Sequence, residues 1–242
     1  MKRIVLLLVA ALTACSAPSN DKTPQVERVS VFADAALTEA FTKIAADFTA
    51  NHKIVPVFTF GASSALAKQA SRPPMADVFA SASQGSIKVP SRVFARTRIV
   101  LATARGNPGD VRGLVNLAEQ SNPRATFAMC VDEAPCGEAA RQMLAGSGFQ
   151  DGKLPEPKVR GQDVKETLAE LVSGEVDAAF VYETDLKALP GLAQPKLFVP
   201  EQPLIDFPVG IVSGSPPAQK FYDYLFSAPA QDVLREAGFA LP

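Results

Sequence analysis

Apolar positions along this chain fall into short unbroken runs separated by segments of helical period. Val29 to Phe32 reads as a buried strand. Residues 36–49 place Ala36, Leu37, Ala40, Phe41, Ile44, Ala45 and Phe48 at helical spacing, and the polar turn Asn51-His52-Lys53 ends that helix. Ile54 to Phe60 is a second strand, and Gly61-Ala62-Ser63-Ser64 opens a second helix through Gln69. Asp77 to Ala80 and Arg98 to Thr103 are further strands. Thr126 to Met129 is a strand and Gly137 to Leu144 a helix. Asp163 to Val172 is a helix with Val164, Leu168, Leu171 and Val172 on one face. Asp177 to Tyr182, Lys196 to Val199 and Phe207 to Val212 are strands. Pro216-Pro217 can start a helix, and helical segments around 218–226 and 230–237 close the chain. No repeat is visible. Alternation of strand and helix predicts an α/β fold with mainly parallel sheets. In such folds ligands bind beyond the carboxyl ends of strands, so the strand-to-helix turns are where chemistry is expected.

The first residues follow a different pattern. Lys2 and Arg3 precede an apolar run from Ile4 to Leu12, too short to span a membrane as a helix. Leu12-Thr13-Ala14-Cys15 then resembles the lipobox of bacterial lipoproteins, in which the cysteine is lipidated and becomes the mature N-terminus. An ordinary secretory signal cut near Ala17 is the alternative. Residues 1–14 are read as a signal peptide, and 15–26, polar and proline-containing, as a tether. Export changes the reading of the other cysteines. Cys130 and Cys136 are two in number, which suggests one disulfide. A metal site is the competing reading, but there is no CxxC and the only histidine is His52.

A hydrophobic content of 47% and a charged content of 20% over 242 residues are those of a soluble globular protein with room for one large domain or two small lobes. No long basic run exists, which argues against nucleic acid as a partner. With Lys2 and Arg3 removed, the 24 basic groups become 22 against 25 acidic ones, a net charge of −3. Such a protein can bind an anion only through local donors.

Three turns offer such donors: Phe32-Ala33-Asp34-Ala35-Ala36-Leu37-Thr38, Phe60-Gly61-Ala62-Ser63-Ser64-Ala65-Leu66, and Ala134-Pro135-Cys136-Gly137. Each sets small residues at a helix start, where free backbone N–H groups and the positive end of the helix dipole favour anions. Taken singly they are weak signals. Ser63 and Ser64 are by themselves ordinary N-cap residues, Gly137 an ordinary turn glycine, and Tyr182 a half-buried core tyrosine. Asp34 is read as a turn or solvent residue that, inside a pocket, would oppose a dianion.

At these residues the chain resembles the periplasmic molybdate-binding proteins, in order and with few gaps from Val29 onward. Val31-Phe32-Ala33 with Leu37-Thr38, Phe60 through Gln69, Ala76 through Ala82, Pro135-Cys136-Gly137, Asp163-Val164, Val181-Tyr182 with Asp185, Phe207-Pro208-Val209 and Phe221 through Leu225 carry the match. The resemblance implies a two-lobed fold of the type II binding-protein kind, with a ligand cleft between the lobes. Lobe 1 is expected over 27–100 and 209–242, and lobe 2 over 101–208. Carried over by position, the oxyanion-binding residues are Ala36, Ser63, Cys136, Val164 and Tyr182. The first of these is usually serine in the family; Ala36 keeps the N–H and loses a hydroxyl. The position of Cys136 contributes backbone, so a disulfide there is compatible.

These five positions offer donors and no carboxylate acceptor, which favours a fully ionised oxyanion over hydrogen phosphate. Molybdate or tungstate is expected, with sulfate as the alternative. The resemblance further implies a monomer that hands its ligand to an ABC permease and ATPase, needs no cofactor, and touches the membrane only through its lipid anchor, facing the periplasm or cell exterior. An exported hydrolase would need a nucleophile and a base, yet His52 lies in a polar turn and no Gly-x-Ser-x-Gly elbow is present. A sensor domain would need a DNA-binding or signalling segment, for which these 242 residues are expected to leave no length to spare. If Cys15 carries lipid, Cys15→Ala should release soluble or unprocessed protein. Fractionation of the cell envelope checks this, and unchanged membrane retention and processing would count against the lipobox.

Overall fold

The computed structural model describes residues 26–70, 76–117, 125–147, 154–189, 193–195 and 203–242. Residues 1–25, with Cys15, and the strand expected at Lys196 to Val199 lie outside the described residues. The first apolar run becomes β1 (Glu27–Asp34). A three-residue 3-10 turn, Ala35–Leu37, leads into α1 (Thr38–His52). Lys53 stops that helix in a left-handed conformation, φ 59°. Then follow β2 (Ile54–Gly61), α2 (Ser63–Ala70), β3 (Val78–Ala80), β4 (Ser91–Thr97) and β5 (Ile99–Ala104). The later half contains β6 (Phe127–Cys130), α3 (Pro135–Gly146), β7 (Val159–Gly161), α4 (Val164–Val172), β8 (Ala178–Tyr182), α5 (Glu183–Ala188), β9 (Ala193–Pro195), β10 (Ile205–Ile211), α6 (Pro216–Leu225) and α7 (Ala228–Glu236).

These strands form two five-stranded sheets, in the orders β2-β1-β3-β10-β4 and β7-β6-β8-β5-β9. Each sheet with its helices is one α/β lobe. Mainly parallel sheets were expected, and the sheets are mixed. β1–β2, β1–β3, β6–β7 and β6–β8 are parallel. β10 runs antiparallel to β3 and β4, and β5 to β8 and β9. The reversed strands are those by which the chain enters a lobe from the other one, so they arrive from the opposite end. Only Arg98 separates β4 from β5, and the chain changes sheet there. β10 pairs with β4 from Ile205 to Gly210. Residues 205–208 therefore lie in the first sheet, because a strand laddered along its whole length cannot be divided at 208.

The buried apolar residues form one continuous cluster through both sheets, with a small second cluster around Phe32, Leu66 and Phe79. Phe41 anchors the first lobe, its ring 5.8 Å from Phe94 and 6.0 Å from Phe221. Phe127 and Phe180 meet edge to face at 5.9 Å in the second. Phe207 of β10 touches Tyr182 of β8 at 5.8 Å and Phe239 at 5.5 Å, which joins the two sheets. His52 is exposed at the helix end, its ring 4.6 Å from Phe48. Truncating Phe41 to alanine should cost about 3–5 kcal/mol, since a fully buried ring leaves a cavity that its neighbours only partly fill. Chemical denaturation measures it; a loss under about 1 kcal/mol would contradict this packing.

Candidate functional site

The parallel register of the first lobe brings three strand ends together: Asp34 lies opposite Gly61, and Ala33 opposite Ala80. Asp34 ends β1 and caps the 3-10 turn, one carboxylate oxygen accepting from the Ala36 N–H at 3.2 Å. The other oxygen accepts from the Ser63 N–H at 3.2 Å and from the Ser63 hydroxyl at 2.5 Å. Ser63 is the first residue of α2, and its Oγ accepts from the Ala82 N–H at 2.9 Å. The expectation that Asp34 is a turn or solvent residue is thus corrected in its surroundings: it does cap a turn, but it is 4% exposed, and Ser63 is fully buried. The closeness of the adjoining strand ends removes it from water.

Helix starts from the second lobe meet this one. Cys130 and Cys136 form a disulfide, Cα–Cα 5.8 Å, tying the end of β6 to the start of α3. Closing so short a loop contributes about 2 kcal/mol from chain entropy. A side chain on Gly137 would put its Cβ 2.1 Å from the Val131 carbonyl oxygen. Only glycine lets the helix start lie so close to the loop. Ala134, Pro135, Cys136 and Gly137 are all buried, and Ala134 makes no side-chain cap. α4 differs, because Asp163 caps it through the Lys165 and Glu166 N–H groups at 2.8 and 3.1 Å. Val164 sits at its first position with its side chain buried. Tyr182 ends β8 fully buried, and among the described residues its hydroxyl has no hydrogen-bond partner.

Contacts link Ala36, Ser63, α4 with Val164 at its start, and Tyr182, whereas Cys136 is tied only to Cys130 among the described residues. Asp34 links Ala36 to Ser63, α4 packs against the Ala35–Leu37 turn, and the Tyr182 phenol feels the charges of Asp34 in one lobe and Glu138 of α3 in the other. A crevice of about 300 Å³ beside them is walled by Ala62, Ser64 and Lys68 on one side and Val131, Gln162 and Asp163 on the other. Lys165 bridges the lobes: its ammonium contacts Glu39 of α1 and buried Asp185 of α5, each at 2.8 Å.

Burial dominates the electrostatics. It raises the Asp34 carboxyl from 3.8 to about 6, against the lowering effect of the Ser63 hydroxyl and the Ala36 and Ser63 N–H groups. Asp185 rises to about 6 for the same reason, with Lys165 and the Tyr182 N–H holding it back. The Lys165 ammonium is pulled down by burial, but Asp185 and Glu39 outweigh this and leave it above its ordinary value. Burial, then Asp34, Asp185 and Glu138, push the Tyr182 phenol well up, so it keeps its proton and stays a donor. The Ala36 and Ser63 donors collected there go to the Asp34 carboxylate, while the buried Tyr182 hydroxyl has no partner among the described residues.

Reading the sequence missed the roles of Lys165, Glu39 and Asp34. Lys165 did leave a signal: a cation in the first turn of a helix opposes the helix dipole, so it needed carboxylates nearby.

Residues 29–240 match the family described as bacterial extracellular solute-binding protein. The chain is 31% identical over 232 residues to the molybdate-binding protein ModA of Haemophilus influenzae, covering 88% of this chain and 90% of that protein. It is 28% identical to the molybdate-binding protein ModA of Mycobacterium tuberculosis, covering 98% and 95%. The structure superimposes on the periplasmic molybdate-binding protein of Azotobacter vinelandii with a TM-score of 0.75, at 18% identity, over 88% of this chain and 99% of that one.

The Asp34 carboxyl gives a pH test of the site. The folded protein holds a proton on Asp34 between pH 3.8 and about 6 that the unfolded chain releases. The contribution of Asp34 to stability therefore falls as pH rises through that window. Asp34→Asn cannot titrate, so it should gain on the unmodified protein from about pH 4 to about pH 6. Denaturant titrations across the window measure the difference, and a constant one would contradict the buried carboxyl.

Proposed function

We propose that this chain, which belongs to the bacterial extracellular solute-binding proteins, captures molybdate outside the cytoplasmic membrane and delivers it to an ABC importer. The observation that carries the reading is the end-to-end match to relatives whose names state molybdate binding. The site supports it. The oxyanion accepts from the Ser63 and Tyr182 hydroxyls and from backbone N–H groups at or beside Ala36, Ser63, Cys136 and Val164. A buried helix start at Cys136 and a buried Tyr182 hydroxyl, the first without a side-chain cap and the second without a partner among the described residues, are groups that a bound acceptor would complete. Tungstate has the same shape and charge and fits the same donors. The chain acts as a binding protein rather than an enzyme and uses no cofactor. It works as a monomer tethered by lipid on Cys15, and an importer permease and ATPase receive the ligand. Among the described residues no helix is long and apolar enough to cross a membrane.

The five donor positions lack a carboxylate, but Asp34 stands among them and accepts from two of them.

Calorimetry with molybdate, tungstate, sulfate and phosphate tests the reading. Molybdate and tungstate should bind tightest, and sulfate or phosphate binding tighter than both would overturn it. Tyr182→Phe should weaken molybdate binding by about 1.5–3 kcal/mol, the worth of one hydrogen bond to a charged group. Because the hydroxyl has no partner among the described residues, the same change should leave thermal stability without ligand equal or higher. A loss of stability with unchanged affinity would place the hydroxyl outside the site.

A further inference from the structure

The donors assigned to the ligand in the first lobe are already engaged. The Ala36 N–H, the Ser63 N–H and the Ser63 hydroxyl all point to the two oxygens of one carboxylate, that of Asp34. A carboxylate resembles one face of a tetrahedral oxyanion: two oxygens sharing negative charge, each accepting from N–H or O–H. An oxyanion and the charged Asp34 therefore need the same hydrogen bonds, and each repels the other. We infer that Asp34 is a built-in competitor for the ligand, so that oxyanion capture requires this side chain to give up its charge or its donors. The inference rests on the oxyanion reading above and deepens it, naming the residue that sets affinity and its response to pH.

The groups around Asp34 make neutralisation the easier route. β8 and α5 bring the Tyr182 phenol and Asp185, and Asp185 raises the Asp34 carboxyl further. α3 brings Glu138 toward Tyr182. Lys165 on α4, which pairs with that Asp185, is also engaged by Glu39 of α1. No ion pair to Asp34 is found among the described residues. With burial raising it to about 6, a proton is readily accepted when an anion arrives. The Ser63 hydroxyl and the N–H groups then turn to the ligand, and a protonated Asp34 becomes a donor itself.

The experiment is calorimetry of the full chain with micromolar molybdate from about pH 5.5 to about pH 8, in buffers of different ionisation enthalpy. Asp34→Asn and Asp34→Ala are measured beside it. The unmodified protein should take up close to one proton per molybdate near pH 8. Its affinity should fall by up to about tenfold per pH unit above about 6, the limit for one linked proton. Both variants should bind at least about tenfold tighter than the unmodified protein near pH 8, and nearly independently of pH. Should neither variant fold, proton uptake by the unmodified protein decides alone. Tight binding with flat pH dependence, no proton uptake and no gain in the variants would overturn the role of Asp34 while leaving the oxyanion reading intact. Absence of molybdate binding to every form at every pH would instead remove the oxyanion reading, and this inference with it.

Discussion

Helices α2, α3, α4 and α5 begin where the two lobes meet, and the first N–H groups of a helix have no acceptor inside it. Away from water each such orphan costs about 1–3 kcal/mol unless something accepts from it. Much of the site follows from that constraint. Asp34 serves the start of α2 from the neighbouring strand, Asp163 caps α4, and Asp185 accepts from the Tyr182 N–H at the start of α5. α3 begins with Ala134 and Pro135, which supply no side-chain cap. The disulfide and Gly137 hold this start against its own loop. An anion in the cleft would complete what the chain leaves undone there.

The same dryness makes charge expensive. Asp34 and Asp185 are both buried carboxyls raised to about 6, and they are handled differently. Asp185 is paired with Lys165, which reaches on to Glu39 and so clasps α4 and α5 of one lobe to α1 of the other. A half-buried pair of this kind adds little net stability after desolvation. Its consequence is geometric: it holds the lobes in register around the site. Asp34 has neutral donors instead. The two buried carboxyls thus differ in their partners, a bridging ammonium for Asp185 and neutral donors for Asp34.

Elements with a strong period or an unbroken apolar run were legible in the sequence. β1, β2, α1 and α4 fall within a few residues of the expected spans. β4 and α5 were not read. β4 is an edge strand whose Arg92 and Arg96 face partly outward, so its apolar signal is thin. α5 has six residues, too few to show a period. Direction was misread for a different reason. Alternation of strand and helix says nothing of a chain that enters each lobe from the other side, and β5 and β10 run antiparallel because they do.

The sequence by itself determined the α/β class and the positions of the small-residue helix starts, since local pattern is enough for both, and it suggested the pairing of Cys130 with Cys136 through export and an even count. It also identified Ala36, Ser63, Cys136, Val164 and Tyr182 as candidates, through the resemblance they carry. Which of those groups are free to bind was decided only by the tertiary structure. Asp34 at the end of a strand reads as a solvated cap. It is buried because the register of β1 against β2 and β3 stacks three strand ends beside it, and because the second lobe closes over them. Hydrogen-bond partners 29 residues apart, such as Asp34 and Ser63, and ion pairs 126 residues apart, such as Glu39 and Lys165, depend on where whole lobes come to rest. Desolvation, which raises the carboxyls of Asp34 and Asp185 and the Tyr182 phenol, is a property of that assembled interface.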